Sequence, residues 1–158
     1  MSRVESTHAS SARILTRTEC LDYLSRVPVG RIGVSIDALP VILPVSFTLS
    51  GETLLFRTIP GTKLDAATIG AVVAFQADGF EPSADGYWTV MVRGIPTEVD
   101  GDQDRLADSV PIPTWGDLRP NHRLVGLEAT NIVGRLFPVS AGDRAHNDPL
   151  TPPSPGTL

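Results

Sequence analysis

Short runs of β-branched and aromatic residues, separated by tight turns, dominate the hydrophobic pattern of this chain. Three of these runs lie close together, at 30–36, 41–47 and 53–58. The turn 37–40 separates the first two, and Gly51 marks the next turn. Because connections this short join antiparallel neighbours, the pattern predicts a hairpin that continues as an antiparallel meander.

Three further strands are predicted downstream, at 71–77, 87–99 and 124–129. A loop at 78–86 separates the first two of them. Gly94 and Pro96 lie in the middle of the long strand and predict a bend or bulge there. The run 132–137 either continues the last strand or pairs beside it. Six short strands with one curved member favour a mainly β fold, a closed or partly closed antiparallel barrel, over a parallel α/β sheet.

Small helices are predicted at the corners of this barrel, at about 17–24, 63–69 and 102–109. Thr16 is the expected N-cap of the first helix, and Glu19 completes a capping box with it. Thr62 is the expected N-cap of the second helix, and Gly70 ends it. A proline-rich stretch at 110–120 follows the third.

Both ends of the chain differ from its middle. Residues 1–12 are polar and aperiodic, and residues 139–158 contain four prolines and few large apolar side chains. We expect both ends to be disordered. One barrel domain then covers residues 13–138, and the apolar share of 41% is enough for a single core.

Charge and cysteine content exclude several classes of function. The net charge is −5, and Lys63 is the one lysine of the sequence, so nucleic acid is not an expected partner. No apolar run is long enough for a membrane span or a signal peptide, and no membrane partner is predicted. Cys20 stands alone and cannot form an internal disulfide, which favours a cytoplasmic protein with a buried structural thiol. No metal site is predicted.

One segment combines two cations and two hydroxyls around a glycine turn that leads into a helix: Arg57, Thr58, Gly61, Thr62 and Lys63. The first turn of a helix presents unpaired N–H groups, and an anion such as phosphate binds such groups well. Arginine can grip a phosphate with two parallel hydrogen bonds, and lysine adds a compact charge. From spacing alone, a capped helix with two solvated cations fits the same segment equally well.

The order of the segments resembles the pyridoxamine 5′-phosphate oxidase-like family of flavin-binding split barrels, in its short, actinobacterial-type members. The resemblance covers about residues 15–135. It is carried by Pro44-Val45-Ser46-Phe47, Phe56-Arg57-Thr58, Gly61-Thr62-Lys63, the run from Trp88 to Gly94, Pro113-Thr114-Trp115, the run from Asn121 to Val125, and Ile132-Val133-Gly134-Arg135.

This resemblance implies a split-barrel homodimer that binds flavin mononucleotide (FMN) in a groove between its subunits. The backbone of one strand would run along the isoalloxazine ring, at Pro44, Val45, Ser46 and Phe47. The flavin phosphate would be held by Arg57, Thr58, Thr62 and Lys63. Trp88 or Thr89 would reach the flavin from the long strand, and Trp115 and His122 would approach it from the partner subunit.

The resemblance further implies a flavin-dependent oxidoreductase that acts on a small molecule or electron donor; its substrate and catalytic residues stay unassigned. The arginines for substrate phosphate and the C-terminal tryptophan-plus-arginine signature of the true vitamin B6 oxidase are missing. One alternative is the deazaflavin F420, for which Arg93, Arg119 and Arg123 would supply extra cations. Another is a non-catalytic protein that binds flavin or, through His122, heme. The competing interpretation of Trp88 is a core aromatic residue. The competing interpretation of Trp115 is a residue that covers the mouth of the barrel.

Overall fold

The computed structural model describes residues 12–99, 110 and 122–139. Its strands are β1 (Arg13–Ile14), β2 (Val29–Ile36), β3 (Leu39–Ser50), β4 (Thr53–Thr58), β5 (Val73–Glu81), β6 (Gly86–Gly94), β7 (Thr97–Glu98), β8 (Arg123–Glu128) and β9 (Asn131–Pro138). Its helices are α1 (Arg17–Ser25), α2 (Lys63–Thr68) and a 3₁₀ turn at Pro82–Ala84. The predicted helix at 102–109 lies outside the described residues. The predicted tails at 1–12 and 139–158 and the proline-rich stretch at 110–120 are described only at residues 12, 139 and 110, respectively. Among the described helices, none has the length and apolar character needed to cross a membrane.

The capping box that begins α1 is confirmed. The Glu19 N–H donates to Thr16 Oγ1 at 3.3 Å, and the Thr16 N–H donates to Glu19 Oε2 at 2.7 Å. α1 packs on β9 at Gly134, where an added Cβ would lie only 2.5 Å from Cys20 Sγ. Cys20 is buried as expected, and this burial raises the pKa of its thiol.

The first predicted hairpin is confirmed, with longer strands than the sequence suggested. Asp37 and Ala38 have positive φ angles of 51° and 64°, which is typical of a two-residue hairpin turn. The turn therefore needs only two residues, and β3 begins at Leu39. Pro40 and Pro44 lie where β3 pairs only with β2. Prolines are tolerated on such an open edge because no ladder hydrogen bond is lost there.

The prediction of a loop at 78–86 is wrong. β5 continues to Glu81 and pairs with β6 over its whole length, so that Asp78 faces Thr89 and Phe80 faces Tyr87. Asp and Gly are disfavoured in strands, which hid this extension from the sequence pattern. Gly79 has a packing role, because an added Cβ would lie 2.8 Å from the Trp88 ring.

Two bent connections, between β6 and β7 and between β8 and β9, curl the sheet. The predicted bend at Gly94–Pro96 is confirmed, since β6 pairs with β9 and β7 pairs with β8. The run after residue 131 does not pair beside β8; it continues the chain around the corner at 129–130 as β9. One sheet results, in the order β1-β9-β6-β5-β2-β3-β4-β8-β7. Since β6 leads into β7 and β8 leads into β9, the sheet curls into a half-barrel, in agreement with the predicted split barrel.

Inward side chains from most strands and from α1 form one core. Leu54 and Phe56 of β4, Phe75 of β5 and Val92 of β6 are fully buried in it. Trp88 stacks on Tyr23 of α1 with ring centroids 5.0 Å apart. The inward residues of the strands are therefore used for the core, and the outward residues are left to form surfaces.

Candidate cofactor-binding site

Alternation along β4 separates the residues predicted to hold phosphate. Leu54 and Phe56 belong to the core, so Thr53, Leu55 and Arg57 point to the outer face of the barrel. Thr58 has the inward direction and is buried. The side chains of Arg57 and Thr58 therefore leave the strand on opposite sides, and the structure does not bring them together around one anion.

Arg57 is half-buried, and it follows the last residue of β4 that pairs with β3. The last cross-strand pair between β3 and β4 is Phe47 with Phe56, and both of these side chains point into the core. Ser46 and Arg57 are the next residues on each strand and share the outward side. Ser46 is buried, so this end of the face is sheltered from water. A sheltered guanidinium interacts more strongly with an anion than an exposed one does.

The predicted flavin-ring strand of Pro44, Val45, Ser46 and Phe47 forms part of β3. Val45 and Phe47 contribute to the core, whereas Pro44 is exposed. Only the outward residues and the backbone of this strand are available to a ligand on the outer face.

The hydroxyls of Thr58 and Thr62 serve the turn itself. Thr58 Oγ1 donates to Asp65 Oδ1 at 2.8 Å, and the Gly61 N–H donates to Asp65 Oδ2 at 3.1 Å. Thr62 is the predicted N-cap: it accepts the Asp65 N–H at 3.1 Å and donates to the Ile59 carbonyl at 2.8 Å. A carboxylate of the chain therefore takes donors that the sequence assigned to phosphate. Lys63 begins α2, and its side chain lies outside the described residues.

Asp65 and Arg123 form a partly buried ion pair that the sequence reasoning missed. Arg123 Nη1 lies 3.2 and 3.0 Å from the two carboxylate oxygens of Asp65, and Arg123 Nε lies 3.2 Å from Glu98 Oε1. The Asp65 side chain is 7% exposed. A signal for Asp65 was present, because Thr62 and Asp65 have capping-box spacing.

Trp88 and Thr89 point in opposite directions from β6. Trp88 is 3% exposed and stacked on Tyr23, which favours its core interpretation. Thr89 points outward, where its hydroxyl accepts from Gln76 Nε2 at 3.2 Å. Within one chain, several strands separate β6 from β4, and Thr89 is not brought next to Arg57.

The remaining candidates lie at or beyond the start of β8. His122 is half-buried and precedes Arg123. Trp115 and Arg119 are outside the described residues. Of the cations proposed for F420, Arg123 is held by Asp65 and Glu98, and Arg93 donates to Asn131 Oδ1 at 3.3 Å. These contacts do not support the F420 alternative.

Two cavities open near these strands. One of about 300 Å³ lies on the outer face of β4 and β8, and it is lined by Ser50, Thr53, Leu55, Thr97, Val99, Gly126 and Glu128. The other, of about 250 Å³, lies between 24–28 and 47–49, where β3 has left β2. The cavity of about 300 Å³ lies on the same outer face of β4 as the side chain of Arg57.

Comparison with known proteins agrees with this architecture. The family model described as pyridoxamine 5′-phosphate oxidase matches residues 16–136. The uncharacterized protein Rv0080 of Mycobacterium tuberculosis is 34% identical over 98 residues, which are 59% of this chain and 64% of that protein, so the match spans less than two thirds of that relative's length.

Solved structures give the same result. An FAD binding protein from Mycobacterium smegmatis is 36% identical, with a TM-score of 0.64, over 82% of this chain and 99% of that one. A Corynebacterium glutamicum protein, named provisionally as a pyridoxamine 5′-phosphate oxidase, is 25% identical, with a TM-score of 0.66, over 82% and 95% of the two chains. An FAD and heme binding protein from M. smegmatis shares the fold at 17% identity. The chain therefore belongs to the pyridoxamine 5′-phosphate oxidase-like family of split β-barrel proteins.

Proposed function

We propose that this protein binds a flavin nucleotide with Arg57 at the flavin phosphate, and that it works as a flavin-dependent oxidoreductase. The observation that carries the proposal is the half-buried arginine Arg57, whose side chain leaves β4 on the outer face. The 36% identical relative named for FAD binding supports it. FMN is the flavin predicted from the sequence, and this relative makes FAD the competing choice.

The residues that fit a flavin divide into two groups. Arg57 would pair with the phosphate through charge-assisted hydrogen bonds, and Lys63 is the second predicted cation. The Ser46 hydroxyl and the backbone of 44–47 would lie along the ring system. Bound flavin supplies hydride or electron transfer between a donor and a small acceptor, while the protein positions it and excludes water. Thr58 and Thr62 would support this site indirectly, through the turn that they stabilise with Asp65.

The functional unit is proposed to be a homodimer. Apolar and aromatic side chains stand exposed on the outer face of the barrel at Ile42, Phe80, Tyr87, Val133 and Phe137. A second copy related by a two-fold axis would cover such a surface. It would also bring outward residues such as Thr89, and the predicted partner residues Trp115 and His122, towards a flavin that one chain leaves open.

The proposed location is the cytoplasm. The single cysteine is buried beside Gly134 and is suited to packing, so the fold does not depend on an oxidising compartment.

The direct test is the visible spectrum and the size of the purified protein. We expect a yellow dimer at micromolar concentration, or a colourless dimer that takes up FMN or FAD on titration. A monomer that binds neither flavin contradicts the proposal. Steady-state reduction assays then separate an enzyme from a carrier, because a carrier binds flavin without turnover.

A further inference from the structure

A row of polar side chains crosses the outer face of three neighbouring strands. Asp78 of β5 stands opposite Thr89 of β6, and Thr89 stands opposite Arg135 of β9. All three side chains point outward, because the core is formed by the alternate residues of the same strands. We call Asp78, Thr89 and Arg135 the polar row.

The hydrogen bonds around Thr89 leave its hydroxyl as a donor. A carboxylate can only accept, so the amide nitrogen of Gln76 faces Asp78 Oδ1, at 2.9 Å. The same nitrogen donates to Thr89 Oγ1 at 3.2 Å, and Arg31 Nη1 holds Asp78 Oδ1 from the neighbouring strand at 2.8 Å. The Thr89 hydroxyl therefore accepts from within the chain. Its own hydrogen has no acceptor among the residues that the structure describes.

Arg135 supplies a second donor beside this hydroxyl. It is exposed, and its guanidinium makes no hydrogen bond or ion pair with another residue of the described part of the chain. Side chains directly opposite each other on antiparallel strands have Cβ atoms about 5 Å apart, so Thr89 and Arg135 can both reach one acceptor. Asp78 does not neutralise Arg135, since its carboxylate pairs with Arg31.

The polar row lies within the surface that the proposed dimer would cover. Phe80, Tyr87 and Phe137 follow it on the same face and are 48%, 53% and 42% exposed. Under a second copy, an unpaired guanidinium and an unused hydroxyl hydrogen would lose water, which costs free energy unless an acceptor replaces it. Thr89 and Arg57 lie on separated strands of one chain, so the flavin within reach of the polar row is the one held by the other copy.

We propose that Arg135 joins Thr89 at the C2 carbonyl oxygen of the flavin held by Arg57 of the other subunit, that Gln76 positions the Thr89 hydroxyl there, and that these donors raise the flavin's reduction potential. The proposal rests on the proposed function. Uptake of two electrons, with one proton at N5, leaves one negative charge on N1 and this oxygen of a flavin. A guanidinium and a hydroxyl donor stabilise that charged form more than the neutral, oxidised form.

The test is redox titration of the flavin-loaded protein, with FMN and with FAD, for the wild type and four variants. Arg135→Gln removes the charge and Arg135→Lys keeps it. Thr89→Val removes the hydroxyl, and Gln76→Met removes the group that orients it. Arg17→Gln is the matched control, because Arg17 is an exposed arginine of α1 and is paired with Glu52. Thermal unfolding and sizing establish that each protein is folded and dimeric.

Arg135→Gln and Thr89→Val should each weaken the binding of reduced flavin about tenfold relative to oxidised flavin, which lowers the two-electron potential by about 30 mV. Arg135→Lys should keep most of the wild-type potential, and Arg17→Gln should keep all of it. Gln76→Met should lower the potential as Thr89→Val does. The two changes combined should add nothing further, because both remove the same hydrogen bond to the flavin.

Unchanged potentials in Arg135→Gln and Thr89→Val, with the flavin still bound, would overturn the proposal and leave flavin binding intact. A weaker dimer with an unchanged potential would mean that the polar row pairs with protein groups of the second copy, which also overturns it. An equal shift in Arg17→Gln would trace the effect to net charge and would count against it in the same way. Binding of neither flavin by the wild type would contradict the proposed function as well.

Discussion

The carboxylate of Asp65 lies 3.0 Å from the guanidinium of Arg123, and it joins the first turn of α2 to the first residue of β8. The same carboxylate accepts hydrogen bonds from the Thr58 hydroxyl and the Gly61 N–H. The turn between β4 and α2 thus contains its own anion on the inward side. The cation proposed for the ligand, Arg57, points the other way, so the internal carboxylate and the proposed flavin phosphate do not compete for it.

Removing the charge of Asp65 should destabilise the fold strongly. In Asp65→Asn the Arg123 guanidinium keeps its partly buried position and loses its charged partner. Breaking a buried ion pair by removing one member costs about 3–5 kcal/mol; because Arg123 is 27% exposed, we expect a loss near the lower end, measured by urea denaturation. The control is Asp78→Asn, which breaks the exposed pair with Arg31 and should cost less than about 1 kcal/mol. Similar losses in both variants would mean that the Asp65 pair does not hold the turn.

Thr58 is a predicted phosphate ligand, and in the structure its hydroxyl donates to Asp65 Oδ1. In Thr58→Val the Asp65 carboxylate loses one donor, and we expect the free energy of unfolding to fall by about 1–3 kcal/mol. The flavin dissociation constant of the folded variant should stay within twofold of the wild type. An unchanged stability together with a large loss of flavin affinity would restore Thr58 as a ligand.

The capping box of α1 predicts a specific response to acid. The Thr16 N–H and then the Arg13 guanidinium lower the pKa of Glu19 below its usual value. A carboxyl with a lowered folded-state pKa stabilises the fold above its unfolded pKa, and this contribution disappears as the pH falls through the lowered value.

Urea unfolding of the wild type and Glu19→Gln between pH 7 and about pH 3 checks this sign. The wild type should be the more stable protein at pH 7, and the difference should shrink towards the acid end. A difference that stays constant over the whole range would show that the Glu19 charge contributes nothing to the cap.

Local signals predicted the parts of the fold that depend on neighbours in sequence. Thr16 with Glu19, the N-cap Thr62 and the turn before Leu39 each act within a few residues, and each was found. Asp78 and Gly79 were misread as loop because pairing with β6 outweighs their low strand propensity. Residues Asp65 and Arg123 are 58 positions apart, so their contact leaves no local pattern in the sequence.

The direction of the side chains explains the remaining differences between the predicted and the observed arrangement of the site residues. A motif that places Arg57 next to Thr58 suggests joint action, although neighbouring residues of a strand face opposite sides. Trp88 and Thr89 differ in the same way. Alternation could be predicted from the sequence; which side becomes the core could not, because it depends on how β6 and β7 bend to close the barrel.

The measurement that tests the central claim most directly is flavin titration of Arg57→Ala, alone and with Lys63→Ala, beside the control Arg17→Ala. Arg17 is an exposed arginine of α1 and is paired with Glu52. Quenching of flavin fluorescence gives the dissociation constants for FMN and FAD. We predict that the double variant loses roughly 2–5 kcal/mol of binding free energy for both flavins, that Arg57→Ala accounts for a large share, and that Arg17→Ala loses none. An unchanged dissociation constant in Arg57→Ala would contradict the assignment of this outer face as the flavin site.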